Sequence, residues 1–225
     1  IRLEFDGKMR SRVVATAVGG PLGPFTESES LLTADGEVAS FALEGVRSDA
    51  ISDKLGEGRR TILAGRSGAL AKEVEVVSYA SRPGWLFLRV RYRNDGAAPV
   101  AVRGFTNNRY AFDRGADRRE PAFWSYQSAS YEARPDWVLP LGPGFTRANY
   151  LGMNDSDYGG GTPVVDVWRR DVGLAIGHVE LLPKLVSLPV ARAKGGGATL
   201  ALEIKREATL APGAGMETIR TFVAV

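Results

Sequence analysis

One stretch of this sequence is dense in groups that bind: Asn154-Asp155-Ser156-Asp157-Tyr158, followed by Gly159-Gly160-Gly161. Asn154, Asp155 and Asp157 carry compact donors and acceptors suited to ligand hydroxyls. Tyr158 offers a ring face for stacking, and glycines let backbone approach a ligand closely. These four residues are expected to bind substrate. The same residue types also build a tight turn in which Asn and Asp bond their own backbone. Asp155 and Asp157 make a poor hydrolytic pair. Retaining chemistry needs carboxyls about 5 Å apart with pKa values pushed apart, and two acids in one Gly-rich loop share their exposure. Counted from Asp155, the residues Asp157, Gly160 and Asp166 fall where a calcium loop has positions 3, 6 and 12. Gly159 supplies no ligand at position 5 and Asp166 sits in a strand-like run, so no metal and no cofactor is expected.

A second set is aromatic: Trp124, Tyr126 and Trp137. Their faces suit the C–H faces of sugars, and their size and polar handles equally suit a junction between domains; the junction is the favoured reading. His178 is the sole histidine, with Glu180 two residues on. An acid–base pair there would suit a sugar-mutarotating enzyme, and a hydrogen-bonded structural histidine is the alternative. With one histidine, multi-His zinc sites are excluded.

The elements that must position these groups are strands. Apolar residues recur with period two almost everywhere. In Trp85 to Tyr92, Leu86, Leu88, Val90 and Tyr92 face one way, while Trp85, Phe87, Arg89 and Arg91 face the other. Asn94-Asp95-Gly96 reads as a hairpin turn into a strand from Pro99 to Phe105. Further strands are expected over Ile1 to Phe5, Glu37 to Leu43, Lys72 to Tyr79, Val164 to Arg169, Gly173 to Leu181, Thr199 to Arg206 and Glu217 to Val225. Turn clusters such as Arg82-Pro83-Gly84 and Pro212-Gly213 separate them. No window of helical length has a 3.6-residue stripe. The pattern predicts an all-β, antiparallel sandwich of two sheets, residues 1–225 as one domain, with a few short helices as connectors. Asp113 to Thr162, aromatic and rich in Pro and Gly, breaks the rhythm as a long functional or interface loop.

Composition narrows the partners. The 225 residues carry 29 Lys and Arg against 26 Asp and Glu, a net +3 spread along the chain. Without clustered basic charge, nucleic acid is not an expected partner. No apolar run reaches the length of a membrane span. Without cysteine there is no disulfide framework. Periplasmic, secreted and cytoplasmic locations all fit. Both chain ends read as cut from a longer protein.

Arg134-Pro135-Asp136-Trp137-Val138-Leu139-Pro140-Leu141 and the run from Gly152 to Trp168 are the most distinctive text. Together with Pro83-Gly84-Trp85 through Gly96 and with Thr106-Asn107-Asn108-Arg109-Tyr110, they resemble the N-terminal β-supersandwich of α-galactosidases and related melibiase-like glycoside hydrolases. The resemblance spans about Leu63 to the end. It implies a galactose-mutarotase-like supersandwich preceding a (β/α)8 barrel, in an enzyme that cleaves α-galactosides or related sugars with retention. Two aspartates at barrel strand ends would do the chemistry. This chain has no βα repeats, so no catalytic residue is assigned to it. The implied partners are the chain's own C-terminal barrel, the carbohydrate and further copies in a homo-oligomer. A free-standing carbohydrate-binding module and a mutarotase-like epimerase are the rival readings.

Overall fold

A computed structural model describes residues 1–127, 137–151, 162–182, 184–194 and 196–225. Among these, strands pair antiparallel throughout, and the one helical turn is a 3-10 segment, Thr16–Val18. A small sheet holds β1 (Arg2–Phe5), β2 (Ser11–Ala15) and β3 (Gly20–Pro21). The larger sheet runs in the order β12 (Val138–Pro140), β11 (Trp124–Tyr126), β15 (Val164–Trp168), β16 (Gly173–His178), β21 (Thr221–Ala224), β9 (Trp85–Asn94), β8 (Leu70–Tyr79), β7 (Gly56–Ser67) and β6 (Ala42–Asp53). Strand β20 (Gly215–Glu217) also pairs with β9. The smaller sheet runs β13 (Thr146–Arg147), β18 (Val190–Arg192), β19 (Ala198–Leu210), β10 (Val100–Phe112), β4 (Ser30–Thr33) and β5 (Gly36–Val38). There β17 (Val186–Ser187) pairs with both β19 and β14 (Tyr150–Leu151).

The period-two pattern sets which face each strand buries. Leu86, Leu88, Val90 and Tyr92 of β9 are buried, while Trp85 and Arg93 on its other face are exposed. Val165 and Val167 of β15, Leu174 and Ile176 of β16, and Leu200 and Leu202 of β19 join Leu86 and Leu88 from the same sheet and from the facing one, while Val90 and Tyr92 pack in a second cluster with Phe41, Leu63 and Phe105. Each such side chain contributes roughly 1.5–3 kcal/mol by leaving water.

The interior also holds polar staples. Of two register shifts in β10, the second, between Asn107 and Tyr110, accompanies the burial of the neighbours Asn107 and Asn108. Asn107 donates to Thr218 Oγ1 at 3.0 Å, and Asn108 donates to the Phe222 carbonyl at 3.0 Å, tying the two sheets together. Asn108 has φ 54°, in the left-handed region that Asn visits more readily than most residues. Deeper still, Lys72 is 1% exposed, donates to the Glu29 carbonyl at 3.0 Å and lies 4.4 Å from the Phe41 ring centre. Glu29 is fully buried beside it. Burial pushes its carboxyl upward against the opposing pull of Lys72, and burial pushes the Lys72 ammonium downward.

Four strand expectations change. The expected strand from Glu37 to Leu43 is broken at Ala39 to Phe41 into β5 of the smaller sheet and the start of β6 in the larger. Asn94-Asp95-Gly96 is not a hairpin: β9 lies in the larger sheet and β10 in the smaller, so the turn crosses between sheets. The Asn94 side chain fixes that corner by donating to the carbonyls of Ala98 and Leu210 and accepting the Gly96 N–H. Period two gives a strand's faces but not its sheet. The expected strand from Glu217 to Val225 is broken into β20 and β21, where Thr218 turns inward to bond Val90 and Asn107. The expected strand from Gly173 to Leu181 ends at His178.

Candidate functional site at the aromatic edge of the larger sheet

Strands β12, β11 and β15 form one edge of the larger sheet, and their outward residues are aromatic or acidic. Pairing places Trp124 opposite Pro140 and Trp168, Ser125 opposite Leu139, and Tyr126 opposite Val138. Ser125, Val165 and Val167 are buried, so Trp124, Tyr126, Asp166 and Trp168 share the outer face. Tyr126 and Trp137 stack with ring centres 6.1 Å apart and an interplanar angle of 16°. The Arg170 guanidinium lies 4.9 Å from the Trp124 ring centre. Trp137 is 37% exposed and Val138 49%. The three aromatics singled out in the sequence therefore belong to one surface.

Asp166 sits in the middle of this surface. Its carboxylate accepts the Tyr126 N–H at 2.7 Å, and its carbonyl accepts the Ser125 hydroxyl at 2.5 Å. Burial pushes the carboxyl up to about 6, with the Tyr126 N–H pulling the other way. Thr162 donates to the Tyr126 hydroxyl at 3.2 Å. Behind the surface runs a buried amide relay: Gln127 donates to Ser125, and Asn149 donates to Gln127 and to the Leu188 carbonyl of the other side of the sandwich. The relay holds β11 rigidly, which is what a binding edge needs.

Asn154, Asp155, Asp157 and Tyr158 lie outside the described residues, as do Gly159 and Gly160. The described residues that flank their segment are Leu151 of β14 and Thr162, and Thr162 is bonded to Tyr126. Asp166, counted above as a calcium position, is a half-buried sheet residue bonded to backbone. The signal for its role was available: an acid at an outward position between two buried valines, one strand step from Trp168.

The other sequence candidates fall elsewhere. His178 is 6% exposed, its Nδ1 accepts the Glu180 N–H at 3.3 Å, and burial holds its pKa below the usual value. Glu180 lies past the strand end and accepts the Arg220 N–H at 2.7 Å. Both groups are thus tied to backbone. The arginine row pairs within the chain: Arg91 with Glu217 at 2.7 Å and Glu73 at 3.1 Å, Arg89 with Glu217, and Arg93 with Asp95. A second aromatic group, Trp85, Phe87, Tyr79 and Phe222, covers the middle of the same outer face. Phe222 packs close to Gly177, where a Cβ would stand 2.7 Å from its ring.

No protein-family description matches this sequence, and no curated protein matches it. Solved structures do match in shape. The GH36 α-galactosidase AgaA of Geobacillus stearothermophilus, solved with 1-deoxygalactonojirimycin, superimposes with a TM-score of 0.62 at 12% identity. The match covers 88% of this chain and 29% of that one, so the chain spans under a third of the enzyme's length. A family 97 glycoside hydrolase from Pseudoalteromonas sp. strain K8, solved with acarbose, gives 0.51 at 8% identity over 99% of this chain and 33% of that one. The Slr1438 protein of Synechocystis sp. PCC 6803 gives 0.51 at 12% identity over 100% and 95%. At these identities the likeness is one of fold: the chain is an antiparallel β-sandwich of the kind that glycoside hydrolases of families 36 and 97 carry as part of a longer chain.

Proposed function

We propose that this chain is the supporting sandwich of a retaining glycoside hydrolase of α-galactosidase type, and that its aromatic edge docks on the catalytic barrel beside the sugar pocket. One observation carries the reading: a rigidly backed edge exposes Trp137 and Val138 next to Trp124, Tyr126, Trp168 and a half-buried carboxyl. Interface cores are enriched in such aromatics, and an exposed apolar strip beside Arg170 fits a partner domain better than bulk water. The hydrolytic carboxylates belong to the barrel in this reading, and Asn154, Asp155, Asp157 and Tyr158 border its pocket.

The test is kinetic and uses the full-length protein with 4-nitrophenyl α-D-galactopyranoside. Trp137→Ala is expected to lower kcat/KM about tenfold while leaving the unfolding of the isolated sandwich unchanged. Asp157→Ala and Tyr158→Ala are expected to raise KM with the fold intact. Wild-type kinetics in all three would remove the support for docking at this edge.

A second reading has its own observation. The Slr1438 match covers 95% of that chain, so the fold also stands nearly alone. A free-standing carbohydrate-binding module would bind sugar through the aromatic edge without a barrel. Affinity of the isolated chain that disappears in both Trp124→Ala and Trp137→Ala would favour it.

A further inference from the structure

The outer face of the smaller sheet carries a groove of about 320 Å³, with an adjoining recess of about 250 Å³ that shares Arg109 and Glu203. Its volume falls at the lower end of the roughly 300–1,000 Å³ typical of small-molecule sites. The second bulge of β10, around Asn108, turns Arg109 outward while Tyr110 returns to the core. Arg109 is then held in place: it donates to Glu37 at 2.8 Å and to Thr106 at 3.1 Å, and its carbonyl accepts the Thr26 hydroxyl at 2.5 Å. The Ser30 hydroxyl donates to the same Glu37 carboxylate at 2.5 Å. Burial pushes that carboxyl up, but Ser30 and Arg109 together hold it below its usual value, so Glu37 stays ionised and keeps Arg109 oriented.

Glu203 and Lys205 of β19 stand across the groove and form no ion pair among the described residues. The groove thus presents two acids and two bases, with Arg109 already neutralised by Glu37. An anion would meet Glu203, and a cation would meet Lys205 and Arg109. The balance suits an uncharged ligand rich in hydroxyls, which can accept from Arg109 and Lys205 and donate to Glu203. Leu32, 42% exposed, and Leu185, 51% exposed, supply an apolar patch beside these groups.

We propose that this groove binds the ring of a neutral sugar, with Arg109 and Glu203 as its principal hydrogen-bonding groups. The groove lies on the opposite outer face of the sandwich from the aromatic edge, so the site stands whether or not that edge docks on a barrel. The recess of about 480 Å³ on the larger sheet offers no comparable site, because Arg66, Glu73, Arg91 and Glu217 around it pair with other side chains of the chain.

The test is amide chemical-shift titration of the 225-residue chain with methyl α-D-galactopyranoside and methyl β-D-glucopyranoside. A site with a Kd of about 1 mM would be nearly saturated at about 50 mM sugar. Saturable shifts are expected in β10 and β19 around Arg109 and Glu203. Glu203→Ala, an exposed and unpaired position, is expected to weaken binding at least tenfold with the spectrum otherwise preserved, and Trp137→Ala is expected to leave it unchanged. No saturable shift in the groove, shifts confined to the aromatic edge, or tighter binding of sodium D-galacturonate than of the neutral glycosides would each overturn the proposal.

Discussion

The two outer faces of this sandwich differ in how they satisfy their own polar groups. On the larger sheet many of the outward charges pair with one another. Arg91 bridges Glu73 and Glu217, Arg60 meets Asp49 at 2.7 Å, and Arg66 meets Asp95 at 2.7 Å. What that face exposes to water includes apolar area on Trp85, Trp137 and Val138. The smaller sheet carries a groove beside the bulge at Asn108, over which Glu203 and Lys205 form no ion pair among the described residues. Exposed aromatic area suits a second protein surface, and unpaired hydrogen-bonding groups in a concavity suit a small ligand. One fold thereby offers two kinds of recognition on opposite sides.

The largest way to break the comparison is to remove the interior that holds both faces. Lys72→Met leaves the Glu29 carboxyl buried without its cation, and the loss of stability is expected to be about 3–5 kcal/mol, read from urea unfolding. Pairing it with Glu29→Gln should restore part of that loss, because the second change removes the buried ionisable group that has lost its nearby cation. An equal or larger loss in the double variant would show that the charge coupling between Lys72 and Glu29 is not what the core depends on.

Next in size is Trp137→Ala in the full-length protein. The tenfold fall in kcat/KM expected there corresponds to about 1.4 kcal/mol of transition-state stabilisation. The same variant leaves sugar shifts in the groove of the smaller sheet untouched, which separates the two faces in one protein.

Asp166→Asn sharpens the chemistry of the aromatic edge. Burial raises the folded-state pKa of Asp166 to about 6, above its unfolded value of about 3.8. Its contribution to stability is therefore full below about 3.8 and is lost as pH rises through about 6. Asn keeps the acceptor for the Tyr126 N–H and cannot ionise. The difference in Tm between variant and wild type is expected to grow in favour of the variant from pH 4 to about 6.5 and then level off. A difference independent of pH would place the Asp166 carboxyl in ordinary solvent.

The smallest effect belongs to the charged end of the larger sheet. Arg91→Ala removes two exposed ion pairs and is expected to cost less than about 1 kcal/mol, since such pairs are screened and lose side-chain entropy on forming. A larger loss by urea unfolding would mean that this network is structural.

Much of the architecture was legible in alternation alone. Leu86, Leu88, Val90 and Tyr92 are the buried face of β9, and Trp85 with the arginines the outward one. Local pattern could not say which sheet a strand joins, because that depends on partners far along the chain. So Asn94-Asp95-Gly96, a hairpin by its residue types, is a corner between sheets tied by Asn94 to Leu210. The long hairpin of β6 and β7 was missed, because its exposed, charged residues dilute the apolar alternation. At the aromatic edge, Trp124, Tyr126 and Trp137 were found by type. Asp166 entered only as a calcium position that was set aside, since its true environment is made by Tyr126, 40 positions away. The groove was invisible in sequence because Arg109 faces outward only through the bulge at Asn108, and Glu37 and Glu203 meet it from distant strands.

The central claim, that the aromatic edge is a docking surface, is tested most directly by amide hydrogen exchange. The comparison is between the 225-residue chain and the full-length protein, at Trp124–Tyr126 and Val138–Leu139. Docking predicts that exchange slows by tenfold or more at these amides in the full-length protein while the amides of β10 around Arg109 are unchanged. Equal exchange at the edge in the two proteins would contradict it.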